Sequence, residues 1–133
     1  MVNKAIYFFY GLFLFTLMCS CQSSLSTQFI KLKPETFRTY IAKNYEQLID
    51  VRTAKEFKDN HINAAKNFDY FSQHFKDSLR LLNVNKPVYI YCHSGNRSTK
   101  SVSTFKALGF KKIYELEGGI SNWIKKGFKV VKH

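Results

Sequence analysis

Short apolar segments alternate along this chain with segments of helical periodicity, and this alternation limits the possible folds more than any other feature. Four short, mostly apolar segments predict strands, at residues 29–32, 48–51, 87–91 and 113–116, and residues 66–68 predict a weaker fifth strand. Apolar residues at helical spacing lie between them and predict helices, over residues 34–42, from 53 onward, and over 72–82, 98–108 and 120–126. Strands that alternate with helices favour a parallel sheet covered by helices. The sequence therefore predicts one α/β domain with a mostly parallel central sheet of about five strands.

Local signals mark several of the predicted helix ends. Pro34 is placed at a first helical position, where its missing N–H costs nothing. Thr53 and Glu56 have the spacing of a capping box, so a helix should begin there. Gly109 and Gly127 follow the fourth and fifth helical segments and are expected to end them.

The first twenty residues have a different composition from the rest. Lys4 is followed at residues 5–19 by an uncharged, mostly apolar segment. A basic residue before about fifteen such residues is typical of a secretory signal, whereas a membrane span needs about 20. We therefore expect residues 1–20 to be a signal peptide, with an uncleaved anchor as the alternative.

The segment after this run resembles the lipobox of bacterial lipoproteins. Ser20 is at the cleavage position and Cys21 at the position that is acylated, with Gln22 and a polar tether to residue 28 behind it. Met18 departs from the usual Leu. The resemblance implies export to the periplasm and a lipid anchor on Cys21, and Gln22 favours the outer membrane. An ordinary signal peptide, with Cys21 as a free or disulfide-bonded thiol, is the alternative.

Basic residues outnumber acidic ones by 21 to 9, which gives a net charge of +12. The lysines are scattered, and the densest pairs are Lys111–Lys112 and Lys125–Lys126. A nucleic-acid-binding arm would need a longer run of one charge. We therefore expect a generally basic surface and no nucleic-acid partner. The sequence carries no signal for the oligomeric state.

Cysteine counting singles out Cys92. The chain has three cysteines; Cys19 would leave with the signal peptide and Cys21 would be acylated. Exported proteins usually pair their cysteines, so a leftover thiol suggests reactivity.

The segment from Cys92 to Ser98 lies between a predicted strand and a predicted helix. A thiol is a nucleophile only as thiolate, and three features here would stabilise that anion. Free N–H groups at a helix start attract negative charge, Gly95 lets several N–H groups converge, and Arg97 adds a permanent positive charge. A lone cysteine after a strand is otherwise more often a small buried hydrophobe.

At this loop the chain resembles the rhodanese family, whose active-site loop has Cys, four residues, then Arg. Four further segments are similar to the family in the same order, and they are Ile49–Arg52, Glu56–Phe57, His61–Asn67 and Leu116–Ile120 with Trp123. The resemblance covers residues 29–131, and the domain would comprise 29–133. Asn60 and Asn63 stand where glycine is usual, in a turn away from the thiol.

The resemblance implies a three-layer rhodanese-like fold and a sulfurtransferase. Cys92 would take a sulfane sulfur from a donor such as thiosulfate, hold it as a persulfide, and pass it to cyanide or a thiol. The nucleophile would already be ionised, so no general base, cofactor or metal is expected. Asp50 and Arg52 would be structural neighbours of the site. The residues expected to bind substrate are those of the loop, namely His93, Ser94, Gly95, Asn96, Arg97 and Ser98.

Two other functions are consistent with parts of this pattern. Cysteine-dependent phosphatases and arsenate reductases use a related loop but place five residues between Cys and Arg, whereas this chain has four. The shorter ring of N–H groups favours a sulfur atom over a tetrahedral phosphate. The second alternative is a non-enzymatic module that carries persulfide or docks a partner, which the sequence does not separate from a slow enzyme.

Overall fold

The computed structural model describes residues 26–43 and 47–132. Within these residues five strands alternate with five helices. The strands are β1 (Gln28–Leu32), β2 (Leu48–Asp50), β3 (Lys66–Asn67), β4 (Val88–Tyr91) and β5 (Lys112–Leu116). The helices are α1 (Pro34–Lys43), α2 (Ala54–Asp59), α3 (Phe75–Leu79), α4 (Asn96–Ala107) and α5 (Gly119–Lys125).

The strands form one parallel sheet in the order β1-β5-β4-β2-β3. The predicted α/β fold with a parallel sheet of about five strands is confirmed. In parallel sheets of this kind, ligands bind beyond the carboxyl ends of the strands. β4 is the central strand, and the chain leaves its carboxyl end directly into Cys92.

The sheet is covered on both faces, so its central strand is apolar on both. Val88, Ile90 and Cys92 point into one hydrophobic cluster together with Phe105 of α4. Tyr89 and Tyr91 point into a second cluster on the opposite face. This alternation follows from the two-residue period of a strand, and it puts the Cys92 side chain on the α4 face of the sheet.

The helix predicted over residues 72–82 is shorter than expected, because only Phe75–Leu79 are helical. Polar side chains bind the backbone just before it: Asp69 accepts from the amide of Phe71, and Ser72 accepts from the amide of His74. Such local bonds compete with helix formation. The apolar pattern overestimated the helix at its carboxyl end as well, since the helix ends at Leu79.

The expected signal peptide, residues 1–20, and the acylation site at Cys21 lie outside the described residues. Among the residues that are described, no helix is long and apolar enough to cross a membrane.

Candidate active site

The thiol of Cys92 lies at the base of the loop between β4 and α4. The residue is 1% exposed. Its Sγ accepts a hydrogen bond from the amide of Gly95 at 3.1 Å and lies 3.4 Å from the hydroxyl of Ser98. Gly95 has a φ of 102°, in the left-handed region that favours glycine. This conformation turns the chain into α4 and aims the Gly95 amide at the sulfur.

The amino-terminal turn of α5 holds this loop from the other side. The amide of Ile120 donates to the Cys92 carbonyl at 2.9 Å, and the amide of Ser121 donates to the His93 carbonyl at 3.0 Å. The backbone of Gly119 lies against the loop so closely that a Cβ there would be 2.5 Å from both carbonyl oxygens. The Gly118–Gly119 pair thus allows α5 to dock on the loop, a contact that the sequence did not reveal.

The guanidinium of Arg97 is bound to Glu56. Two parallel hydrogen bonds of 2.7 and 2.6 Å join its nitrogens to the Glu56 carboxylate, and the ring of Phe71 lies 5.7 Å from the guanidinium carbon. The bond from Arg97, with further help from Thr53, lowers the pKa of Glu56 to about 2, and the carboxylate in turn raises the pKa of Arg97. We expected the positive charge of Arg97 to stabilise the thiolate of Cys92, but this charge is also paired with the Glu56 carboxylate.

Glu56 also belongs to the predicted capping box of α2, which is confirmed. Its carboxylate accepts from the Thr53 amide at 3.0 Å, while the Thr53 hydroxyl accepts from the Glu56 amide at 3.4 Å. One carboxylate thus joins the start of α2 to the loop that follows β4. Sequence reasoning found the cap and missed the contact to Arg97.

The Glu56–Arg97 pair should make stability depend on pH in acid. The pKa of Glu56 falls from its usual 4.5 to about 2 in the folded protein. The stabilisation is therefore complete above about pH 4.5 and is lost as the pH falls towards 2. We expect it to be on the order of 1–2 kcal/mol, after allowance for solvent screening of a partly exposed pair.

The measurement is urea unfolding of wild type and Glu56→Gln at several pH values. The difference between their free energies of unfolding should narrow as the pH is lowered from about 6 to about 2.5. A difference that stays constant over this range would contradict the assignment of the pKa shift to this pair.

Asp50 and Arg52 form a buried ion pair beside the loop. They are 0% and 3% exposed, and the Arg52 side chain donates three hydrogen bonds of 2.6–3.0 Å to the Asp50 carboxylate. Arg52 also donates to the Asn60 carbonyl and lies over the ring of Tyr91. Both side chains are occupied with neighbouring structure, which is the arrangement expected of a structural pair.

The remaining loop residues divide into exposed and buried ones. His93 and Ser94 are exposed, as is Asn96, and the His93 Nε2 lies 3.1 Å from the Ser121 hydroxyl. Ser98 is fully buried. The sequence placed Ser98 with the substrate-binding residues, whereas its hydroxyl lies among Sγ of Cys92, the Gly95 carbonyl and a carboxylate of β5.

That carboxylate belongs to Glu115, which sequence reasoning passed over. It is 0% exposed, and it accepts from the Ser98 hydroxyl at 2.5 Å and from the Thr99 hydroxyl at 2.8 Å. Lys31 of β1 lies 3.5 Å away. The sequence did contain a signal for Glu115, because it is a charged residue between Tyr114 and Leu116 in a predicted buried strand. A buried charge of this kind needs partners that bind it.

The described part of the domain includes cavities on both sides of the sheet. One of about 510 Å³ lies behind the loop, and its walls include Gly95, Lys31 and Glu115. The other, of about 490 Å³, lies on the far side of the sheet between α1 and α5. Within the described part of the chain, no group of three His, Cys, Asp or Glu side chains is arranged to hold a metal ion.

Comparison with known proteins agrees with this geometry. The family model for the rhodanese-like domain matches residues 33–126, a range that includes the loop carrying Cys92. The uncharacterized protein YqhL of Bacillus subtilis is 39% identical over 92 residues, which cover 69% of this chain and 70% of YqhL. The thiosulfate sulfurtransferase GlpE of Pseudomonas aeruginosa is 28% identical over 99 residues, covering 74% and 87% of the two chains.

Among solved structures, a rhodanese-related protein of Thermoplasma volcanium matches with a TM-score of 0.66 and 26% identity, over 77% of this chain and 98% of that one. A match that spans nearly all of that protein shows that the two chains share the whole domain.

Proposed function

Because this chain belongs to the family of rhodanese-like domains, we propose that it is a sulfurtransferase that carries a sulfane sulfur on Cys92. The donor is an anion such as thiosulfate, and the acceptor is cyanide or a thiol. The observation that carries the proposal is the position of Sγ at the base of a glycine-turned loop, where the Gly95 amide donates to it at 3.1 Å. A thiolate and a persulfide anion are both stabilised by such a donor.

In the first step the sulfur of Cys92 attacks the outer sulfur of thiosulfate. A new S–S bond forms to Cys92, the donor's own S–S bond breaks, and sulfite leaves with the electron pair of that bond. This is covalent catalysis with one enzyme-bound intermediate, a Cys92 persulfide. No external oxidant is needed, because the donor already carries sulfur in the sulfane state.

In the second step the acceptor attacks the outer sulfur of the persulfide. Cyanide becomes thiocyanate, or a thiol becomes a persulfide, and the electron pair returns to Cys92. The enzyme is restored without a net redox change.

The exposed part of the loop supports recognition of an anionic donor. His93, Ser94 and Asn96 are exposed around the buried sulfur. The side chain of Arg97 is 18% exposed, and its guanidinium keeps its charge while it is bound to Glu56. With a net charge of +12 for the chain, the potential around the domain attracts anions and raises their encounter rate.

Steady-state kinetics with thiosulfate and cyanide test the proposal. Thiocyanate should form, and double-reciprocal plots at several fixed cyanide concentrations should be parallel, because sulfite leaves before the acceptor reacts. Without an acceptor, sulfite release should stop at one equivalent per Cys92. Intersecting lines would contradict a persulfide intermediate, and an absence of thiocyanate would contradict the thiosulfate–cyanide reaction.

We further propose that the protein is exported and anchored to a bacterial outer membrane through an acylated Cys21. The support is the lipobox-like segment around Ser20 and Cys21 together with the apolar run before it. Sulfur transfer would then take place in the periplasm.

Fractionation of cells that express Cys21→Ser tests the anchor. The variant should move from the membrane fraction to the soluble fraction, while Cys19→Ser, two residues away, should stay with the membranes. Unchanged membrane association of Cys21→Ser would point to a retained apolar segment instead.

A further inference from the structure

The buried carboxylate of Glu115 is joined to Cys92 through one hydroxyl. Ser98 Oγ lies 2.5 Å from Glu115 Oε1 and 3.4 Å from Cys92 Sγ. All three residues are at most 1% exposed. A serine hydroxyl has one proton and can also accept, so Ser98 can donate either to Sγ or to the carboxylate, and it can accept from a Cys92 thiol while it donates to Glu115.

The direction of this hydrogen-bonded chain follows from the charges. A thiolate beside an ionised Glu115 would bury two negative charges that share one hydroxyl, and like charges at this distance oppose joint ionisation. An arrangement that avoids this places the proton on Cys92, which donates to Ser98, while the Ser98 hydroxyl donates to the Glu115 carboxylate 2.5 Å away. Lys31 at 3.5 Å and the Thr99 hydroxyl at 2.8 Å stabilise that carboxylate.

We propose that Glu115 is a positioning residue that, through Ser98, receives the proton of Cys92 when the sulfur attacks its donor. This inference rests on the proposed sulfurtransferase function. As the bond from Sγ to the outer donor sulfur forms, the thiol proton moves to Ser98 Oγ and the hydroxyl proton moves to Glu115 Oε1. Sulfite leaves with the electron pair of the donor's broken S–S bond.

The step leaves the charge of the buried cluster unchanged. One negative charge moves from the Glu115 carboxylate to the persulfide, and the Ser98 hydroxyl now donates to sulfur. Glu115 holds the proton while the persulfide is present, and returns it through Ser98 when the acceptor takes the outer sulfur and the electron pair comes back to Cys92. A sulfur that is 1% exposed is thereby deprotonated without direct contact with water, which revises the sequence-based expectation that no base is needed.

The test is the pH dependence of the first step, measured as sulfite release in a single turnover with thiosulfate and no acceptor. In the wild type the rate should depend only weakly on pH near neutrality, because Glu115 accepts the proton internally. In Glu115→Gln the thiol must lose its proton to solvent first, so the rate should rise about tenfold per pH unit over the same range.

A purely electrostatic role of Glu115 predicts the opposite. Removal of a negative neighbour favours the thiolate. In Glu115→Gln the rate would then either not depend on pH or begin its increase with pH at a lower pH than in the wild type. The other charged groups near the carboxylate are Lys31 on β1, Lys100 on α4 and Glu117 after β5. They are present in every variant, as is the imidazole of His93.

Two further variants separate the relay from a change in fold. Ser98→Ala keeps the Glu115 charge but breaks the chain, and it should show the same tenfold slope. Thr99→Ala removes a hydrogen bond from Glu115 without breaking the chain, and it should keep the weak pH dependence. If circular dichroism shows that Glu115→Gln does not fold, the pH dependence of Ser98→Ala decides between the relay and the electrostatic role.

The outcomes distinguish the two proposals. Sulfite release with the same pH dependence in wild type, Glu115→Gln and Ser98→Ala would overturn the relay and leave the sulfurtransferase standing. If none of these proteins released sulfite at any pH, the proposed function itself would be overturned.

Discussion

Replacement of Cys92 by serine should reduce the transfer of sulfur from thiosulfate to cyanide by at least about a thousandfold, the scale typical of losing a catalytic nucleophile. The hydroxyl of serine does not ionise near neutral pH, and it does not form a persulfide. The assay is thiocyanate formation at saturating thiosulfate.

The matched control is the stability of the same variant. The serine hydroxyl would sit where Sγ now accepts from the Gly95 amide, so the cost of burying it should be limited to about 1–2 kcal/mol. A folded Cys92→Ser protein that retains more than a tenth of the wild-type rate would place the sulfur carrier elsewhere.

Substitution of Gly119 by alanine should produce the second-largest loss of activity. The new Cβ would lie 2.5 Å from the carbonyl oxygens of Cys92 and His93, and backbone atoms at this distance must move apart. The movement would weaken the bonds from the Ile120 and Ser121 amides that hold the loop. Misplacement of a reacting group by about 1 Å costs about a hundredfold in rate, so kcat/KM should fall by this order.

Gly109→Ala is the control for the backbone strain alone. Gly109 also has a positive φ, of 90°, but among the described residues nothing beyond its chain neighbours comes within 4 Å of where a Cβ would be. Both variants therefore carry the cost of a left-handed alanine, about 1–2 kcal/mol, and only Gly119→Ala disturbs the loop. Equal activity of the two variants would show that docking of α5 does not position Cys92.

The fold could be predicted from the sequence because its signals are local. Four of the five strands lie in short, mostly apolar segments, and the period of 2 or of about 3.6 residues separates strands from helices. The capping box at Thr53 and Glu56 also lies within four consecutive residues, so its partners are visible together. The predicted helix over residues 72–82 was too long because side chains of Asp69 and Ser72 bind the backbone that precedes α3.

The contacts around the thiol were harder to predict because they join distant parts of the chain. Glu56 and Arg97 are separated by 41 residues, and nothing in either segment indicates that the two side chains meet. Glu115 reaches Ser98 only because β5 lies beside β4 in the sheet. The sequence motif thus located the loop that carries Cys92. Which charged side chains surround this loop depends on the order of the strands in the sheet.

Intact-protein mass spectrometry can show whether Cys92 accepts and holds a sulfur atom. Residues 22–133 should be incubated with thiosulfate, freed of small molecules without reductant, and compared with the same segment carrying Cys92→Ser. We expect a mass increase of one sulfur atom, located on Cys92 by peptide mapping, and no increase in the variant. A wild-type protein that gains no sulfur, or a variant that gains as much, would contradict this expectation.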